Sequence, residues 1–368
     1  MNSLTNILPE ISVVIIGLNV EKYLRQCINS VQASNYPKEL MEIIYADSGS
    51  TDKSIEIANS FEEVRVLCLN TDTPNAAKGR NAGLSASKGS LIQFVDADSY
   101  LHHDWLFKAA VSMKNDIAAI AGVLTERDPH KNIYHRMAGV EWNLRNGEQG
   151  WTTTESNALV FGGNVMIRRD SIYAAGGYDE RLRAGEDPDL SYRIRQLGYQ
   201  ILRLNRPMAS HDINISSRRQ FLRRARRSGY AYTMLVLKYW REPERFMLKR
   251  VIRVIGGVLT PFVVLFLGAI LGYTIPAVVL ALLIVFRLVF KTRNFSRILN
   301  QSWGFSLRYS LYLAWVIYPQ FLGTMEALIE WFKDQLTTKK VLVHPTEGDQ
   351  RFIAAQPSMD KISLQTGV

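Results

Sequence analysis

Cysteine is scarce. The 368 residues hold two, Cys27 and Cys68, with neither the spacing of a metal-binding pair nor the number a disulfide framework needs. That excludes a cystine-stapled secreted scaffold and fits a reducing compartment, with both thiols as ordinary core or near-surface groups. Met1 to Glu10 lacks a basic start followed by an apolar run. No signal peptide is read there, so the N-terminal domain is expected in the cytoplasm. Acidic residues are outnumbered, 34 Asp and Glu against 44 Lys and Arg, for a net charge of +10. Such an excess raises nucleic acid or anionic lipid as a partner. No nucleic-acid module is recognisable, and the excess is local. Arg218–Arg253 holds twelve Lys/Arg and two Glu, itself net +10, which leaves the rest of the chain neutral. That stretch runs into a long apolar segment, so the membrane surface is favoured over nucleic acid.

Apolar residues are plentiful, at 47%, enough for one large domain and an appendage. Ile11-Ser12-Val13-Val14-Ile15-Ile16 is a β-branched run that reads as a buried strand, and a helix follows through Tyr23, Leu24, Cys27, Ile28 and Val31. Met41–Ala46 and Val64–Leu69 are further strands, separated by a polar turn, Asp47–Asp52, and a helix over Lys53–Phe61. A Gly-interrupted helix, Ala76–Ser87, precedes a fourth strand, Ser90–Val95. Strands alternating with helices predict an α/β fold with a mostly parallel sheet. Ligands bind beyond the carboxyl ends of such strands. Asn19, Asp47, Asp96 and Asp98 all fall at those ends and should converge on one crevice. Ile117–Val123 reads as another strand, Arg136–Arg145 as a helix, and Gly147–Ser156 as a loop. Leu159–Ile167 reads as strand, glycine turn, strand, and Tyr199–Leu204 as a final strand with His211 just past it.

Two acidic clusters stand out, Asp96-Ala97-Asp98 and Glu186-Asp187-Pro188-Asp189. Carboxylates two apart on an extended segment share a face. Like charges that close are costly unless a cation sits between them. Mg²⁺ or Mn²⁺ takes oxygen ligands and keeps positions open for phosphate oxygens; the alternative is a polar turn. Glu186 and Asp187 open a helix after a glycine, where either could accept a proton as a general base or simply favour the helix start. Asp189 is assigned to the helix start. Asp47 could meet a nucleobase or cap the next helix, with Asp52 preferred as the cap. Lys78 and Arg80 could meet phosphate or be solvated helix charges. His211 could be a third metal ligand or a structural histidine.

From Arg218 the chain reads as a basic amphipathic helix, with Phe221, Leu222, Ala225, Tyr232, Leu235 and Val236 on one face, suited to a headgroup layer. Val254–Gly272 is nineteen residues without a charge, about 28 Å as a helix and enough to span a bilayer. Thr274–Phe290 is a second span, joined by a tight hairpin. Basic residues on both flanks put the ends of the pair in the cytoplasm. Ser310–Ile329, despite Pro319 and Glu326, is read as a third span, with an interfacial or re-entrant helix as the alternative. The expected layout is a catalytic domain over 1–215, an interfacial helix region over 216–253, membrane spans within 254–332 and a polar tail over 333–368.

Six pieces in this order resemble the inverting family 2 glycosyltransferases of the GT-A fold: Ser12–Asn19, Asp47–Asp52, Gly79-Arg80-Asn81-Ala82-Gly83, Phe94–Asp98, Gly162-Gly163-Asn164 and Gly185-Glu186-Asp187. The resemblance covers roughly 10–212. It implies a nucleotide-diphospho-sugar donor, with Asp47 at the nucleobase, Asp96 beside the sugar and ribose, and Asp98 at the metal and diphosphate. Asp187 becomes the base, with Glu186 beside it, and His211 a metal ligand. Gly163 and Asn164 belong to the loops that shape the substrate site. Ile16 and Leu18 stand where the family often has Pro and Tyr, and the Gln-x-x-Arg-Trp element of processive synthases is absent. Transfer of a single sugar is therefore expected, with inversion. The layout suits an inner- or plasma-membrane enzyme with a lipid-linked acceptor. A polyprenyl-phosphate acceptor, giving a one-sugar lipid donor, is the alternative. A non-catalytic membrane scaffold would not need the retained acidic residues.

Overall fold

The computed structural model describes residues 8–144, 156–270, 275–298, 301–336 and 362–364. Most of the Gly147–Ser156 loop, Tyr273-Thr274 of the expected hairpin, and the tail past 336 apart from Ile362–Leu364 lie outside them. Two compact units result, Met1–Asn214 with Pro345–Val368, and Ile215–His344.

The first unit is an α/β sandwich around one sheet. Its elements are β1 (Ile11–Gly17), α1 (Glu21–Gln32), β2 (Met41–Asp47), α2 (Ser54–Asn59), β3 (Val64–Leu69), α3 (Ala76–Ala86) and β4 (Leu91–Asp96). These are followed by β5 (Ser99–Leu101), α4 (Trp105–Ser112), β6 (Ile117–Glu126), α5 (Ile133–Leu144), β7 (Ser156–Asn157) and β8 (Val165–Arg168). The last are α6 (Arg169–Ala174), α7 (Glu186–Gln196), β9 (Gln200–His211) and β10 (Ile362–Leu364). The sheet order is β10-β3-β2-β1-β4-β8-β6-β9-β5, with β7 on β9. β1 is buried on both faces, as its unbroken β-branched run requires. Leu24, Ile28, Trp105 and Leu106 pack in one apolar layer, and Leu84, Ile172, Leu190 and Ile194 in another. Each such side chain contributes about 1.5–3 kcal/mol when fully buried.

The sheet is parallel from β3 through β4 and mixed beyond. β8 is antiparallel to both β4 and β6, and β9 is parallel to β6 but antiparallel to β5. The strand expected before Gly162 does not form. There the Phe161 amide donates to Ser191 Oγ at 3.0 Å instead of to a ladder. β9 is longer than expected and reaches His211. Its register against β6 slips on either side of Val123, opposite Pro207, so the proline sits at an irregularity rather than ending the strand. α3 lies close on β1 because of Gly83, where a Cβ would fall 2.1 Å from Val14 Cγ1.

The second unit is helical: α8 (Arg218–Tyr239), α9 (Leu248–Ile270), α10 (Ile275–Ile298), α11 (Trp303–Trp315) and α12 (Ile317–Leu336). α8 starts with a capping box between Ser217 and Gln220. Its apolar face is covered by α12. The backbones approach closely at two glycines: a Cβ on Gly229 would lie 1.9 Å from Gln320 O, and one on Gly323 1.9 Å from Arg226 O. Arg226 Nε meets Glu326 Oε2 at 2.9 Å, and Tyr230 OH donates to Glu330 Oε1 at 2.9 Å. The stretch expected as a third span, Ser310–Ile329, takes in the end of α11 and most of α12, which meet at Val316. Pro319 lies in the first turn of α12, where its missing N–H costs nothing, and Glu326 is an ion-pair partner of α8. Among the described residues, Leu248–Ile270 is the helix long and apolar enough to cross a membrane by length and composition. Phe262, Phe266 and Ile270 on it are exposed, as are Leu282, Leu283 and Phe286 on α10.

Candidate functional site

Register brings the strand ends level. Gly17 of β1 stands opposite Asp47 of β2, and Ile16 opposite Asp96 of β4. Asn19, just past β1, adopts a left-handed conformation with φ 54° that asparagine tolerates. Its amide donates to Ser50 Oγ at 2.8 Å and its Oδ1 accepts from Thr51 N at 2.8 Å. Asp47 is fully buried and holds the same turn. Its Oδ1 accepts from the amides of Gly49 and Ser50 at 2.8 and 2.7 Å, and its Oδ2 from Tyr45 OH at 2.9 Å. Asp52 accepts from Ser54 N at 3.0 Å at the start of α2 and also from Glu21 N at 3.0 Å, so one side chain serves two helix starts.

Asp96, Asp98 and His211 come together, with a ligand atom from each within 4.8 Å of the others. His211 Nε2 lies 3.2 Å from Asp98 Oδ1. The end of β9 places this imidazole, since His211 pairs with Ser99 on one side and Glu126 on the other. Burial raises the Asp96 carboxyl above its usual range; Arg80 opposes that, and the nearby Asp98 charge adds to it. Two crowded, partly exposed carboxylates are donors that fit Mg²⁺ or Mn²⁺, and the imidazole adds a nitrogen that a transition-metal ion takes more readily than Mg²⁺ does.

The second acidic cluster meets the first through one side chain. Arg80, on α3, is 3% exposed. Its Nη2 lies 3.0 Å from Asp96 Oδ1, and its Nη1 lies 3.1 Å from Glu186 Oε1 and 3.4 Å from Asp187 Oδ1. Burial works against the Arg80 charge, but Asp187, Asp96 and Glu186 outweigh it, so the guanidinium holds its proton more firmly than a free arginine does. The planar fork holds its donors in a fixed geometry that matches carboxylates, where an ammonium is a point charge on a flexible stem. The N-cap of α7 is Gly185, at φ 95° and with no side-chain cap. Asp187 is therefore not the cap, and its carboxylate and that of Glu186 face Arg80. Asp189 is fully buried and accepts from Arg193 Nε and Nη2 at 2.9 and 2.8 Å.

Gly163 and Asn164 close over this junction. A Cβ on Gly163 would fall 2.4 Å from Asp96 Oδ2 and 2.5 Å from Arg80 Nη2. Asn164 Oδ1 accepts from Asp96 N at 3.2 Å, and its Nδ2 donates to Ser99 Oγ at 3.0 Å. Lys78 is directed elsewhere: its ammonium donates to Thr71 Oγ1 at 3.0 Å and Thr73 O at 2.9 Å. Sequence reasoning missed Tyr178, whose ring centroid lies 5.2 Å from Arg80 Cζ. The signal was the turn before it. Gly176 and Gly177 have positive φ, and Asn81 clamps the turn by donating to Tyr178 O and accepting from Tyr178 N, both at 2.9 Å. That accounts for Asn81 in the Gly-Arg-Asn-Ala-Gly piece.

The glycosyl transferase family 2 pattern matches residues 12–176. Glycosyltransferase GlyG of Streptococcus pneumoniae is 36% identical over 211 residues, 53% of this chain and 68% of that protein. The chain belongs to glycosyl transferase family 2. The family match takes in Asp47, Arg80, Asp96, Asp98, Gly163 and Asn164, and ends before Glu186 and His211. A second relative reaches further: the dolichyl N-acetyl-alpha-D-glucosaminyl phosphate 3-beta-D-2,3-diacetamido-2,3-dideoxy-beta-D-glucuronosyltransferase of Methanococcus voltae is 24% identical over 308 residues, 77% of this chain and 89% of that protein. Of three other curated glycosyltransferases that it matches, the chain spans 48%, 31% and 65% of the length. The solved mannosyltransferase PcManGT of Pyrobaculum calidifontis, in complex with GDP-Man and Mn²⁺, superposes with a TM-score of 0.60 at 15% identity, covering 88% of each chain. This family 2 chain thus has the Rossmann-like GT-A fold, with a curled mixed sheet followed by C-terminal helices, one of them apolar.

Proposed function

We propose that the protein is a membrane-associated, metal-dependent inverting glycosyltransferase that moves one sugar from a nucleotide-diphospho-sugar to a lipid-linked acceptor. One observation carries this reading: Arg80 ties the Asp96–Asp98–His211 group to Asp187, so a candidate cation site and a candidate base share one junction. Asp98, Asp96 and His211 would hold Mg²⁺ or Mn²⁺. Such an ion supplies positive charge to offset a departing diphosphate. Asp187 accepts the acceptor's hydroxyl proton as that oxygen attacks the anomeric carbon, and a single displacement inverts the centre. Glu186 shares Arg80 with Asp187 and fixes its direction. Asn19 and the Asp47 turn form the rim assigned to the nucleobase, with Gly163 and Asn164 toward the sugar.

The acceptor class is supported by α9, by the basic α8 and by the Methanococcus voltae relative, whose name specifies a dolichyl-linked sugar phosphate. That name favours a lipid-linked saccharide over bare polyprenyl phosphate as acceptor. Basic residues flank the apolar helices, so the catalytic unit is assigned to the cytoplasmic face of a plasma or inner membrane, with more than one crossing. The test is a screen of nucleotide-sugars for nucleoside diphosphate release by membranes carrying the protein, with Mn²⁺, Mg²⁺ or EDTA. Thin-layer chromatography of radiolabelled lipids then identifies the product. Release that needs a cation and deposits label on a lipid saccharide is expected; cation-independent release, or label that never enters the lipid fraction, would overturn the reading.

A further inference from the structure

Beside the Asp96–Asp98–His211 group lies a second cluster. Glu126 at the end of β6, His135 on α5 and Asp212 just past β9 are all buried, with a ligand atom from each within 4.8 Å of the others. His135 is 0% exposed. Its Nδ1 donates to Glu126 Oε1 at 2.7 Å and lies 3.8 Å from Asp212 Oδ1, while its buried Nε2 makes no hydrogen bond. Burying three ionisable groups together is costly, and apolar residues of similar volume often do as well.

The carboxylate oxygens are already engaged. Glu126 Oε1 also accepts from Asp128 N and Oε2 from Ile213 N, both at 3.2 Å. Asp212 Oδ1 accepts from Asn214 N at 2.8 Å and Oδ2 from Tyr23 OH at 3.2 Å, with Lys131 Nζ 3.9 Å from Oδ2. Acceptors taken by amides, beside a lysine ammonium, suit a fixed joint rather than a cation. The joint adjoins His211. That residue precedes Asp212 in the chain and stands opposite Glu126 in the β6–β9 register. Its carbonyl accepts from Arg127 N at 3.0 Å, and Asp212 N donates to Asp98 O at 3.3 Å.

We propose that Glu126, His135 and Asp212 form a positioning trio that aims the His211 imidazole at Asp96 and Asp98. Cation affinity at the catalytic junction then depends on His135, which lies outside the Asp96–Asp98–His211 group. This rests on the reading of that group as a cation site. Outer partners that orient a ligating histidine typically change metal affinity 10–100-fold.

The test uses the full-length protein in detergent, with Mn²⁺ binding read by electron paramagnetic resonance and half-saturating Mn²⁺ read from diphosphate release. His135→Phe is expected to raise the half-saturating Mn²⁺ about tenfold or more, with the nucleotide-sugar KM at saturating Mn²⁺ little changed. His135→Asn, which keeps a donor near the Nδ1 position, is expected to recover most of the loss. If His135→Phe does not fold, Asp212→Asn serves, with a shift in the same direction. A merely structural trio would lower the melting temperature and leave half-saturating Mn²⁺ at the wild-type value in every folded variant, which overturns the proposal. His211→Ala separates the two readings: if it binds Mn²⁺ as the wild type does, the cation site itself is wrong and the positioning role falls with it.

Discussion

Arg80 and Asp187, on separate helices, lie 3.4 Å apart, and the same guanidinium meets Asp96 at 3.0 Å on its other nitrogen. The arginine is buried, so these contacts are little screened. Removing one partner of a buried ion pair costs about 3–5 kcal/mol because the other is left uncompensated. Arg80→Met is therefore expected to lose that much stability in chemical denaturation. Arg80→Lys keeps the charge without the fork, and turnover is expected to fall about 100-fold with a smaller loss of stability. Unchanged turnover in the lysine variant would separate Arg80 from the chemistry.

Gly163 and Gly162 make an internal control. A Cβ at Gly163 would press on Asp96 and Arg80, while a Cβ at Gly162 meets nothing within 4 Å. Gly163→Ala is expected to lower turnover at least tenfold through displaced carboxylate and guanidinium groups, whereas Gly162→Ala stays within about twofold of wild type. Equal effects at the two positions would contradict the close approach of Gly163. The readout is diphosphate release at saturating donor.

Asp187 and Glu186 separate in kinetics. A general base contributes about 10²–10⁴ in rate. Asp187→Asn is expected to lose that factor in kcat with little change in donor KM, and Glu186→Gln to lose less, since Glu186 acts by holding Arg80. Reversal of the order would make Glu186 the base.

α8 and α12 touch at Gly229 and Gly323. Gly323→Val is expected to force the pair apart and lower the melting temperature of the detergent-solubilised protein by several degrees. Gly304→Ala, where a Cβ meets nothing within 4 Å, is expected to leave it unchanged. A helix pair indifferent to Gly323→Val would not have this crossing.

Much of the site was legible because strand ends announce themselves. The Ile11–Ile16 run is an inner strand, and Asp96 stands where the register of β1 and β4 puts it. His211 was expected just past a strand ending at Leu204; β9 runs on to it through a register slip at Pro207. Arg80 was read as a phosphate contact or a solvated helix charge, and its place among three carboxylates was not foreseen. Its carboxylates at Glu186 and Asp187 are about a hundred positions away, and no local spacing encodes that meeting. The reversed strand β8 was hidden too, since hydrophobic alternation reports burial but not direction. The junction of α11 and α12 at Val316 was not visible in Ser310–Ile329, because hydropathy averages over single residues.

The two acidic clusters are proposed to act at one reacting centre. The most direct measurement is nucleotide-sugar turnover by Asp98→Ala and Asp187→Asn in membranes, each checked for folding against the wild type. Expected is loss of turnover in both, with Asp187→Asn still binding Mn²⁺ and Asp98→Ala no longer doing so. Wild-type turnover in both folded variants would contradict it.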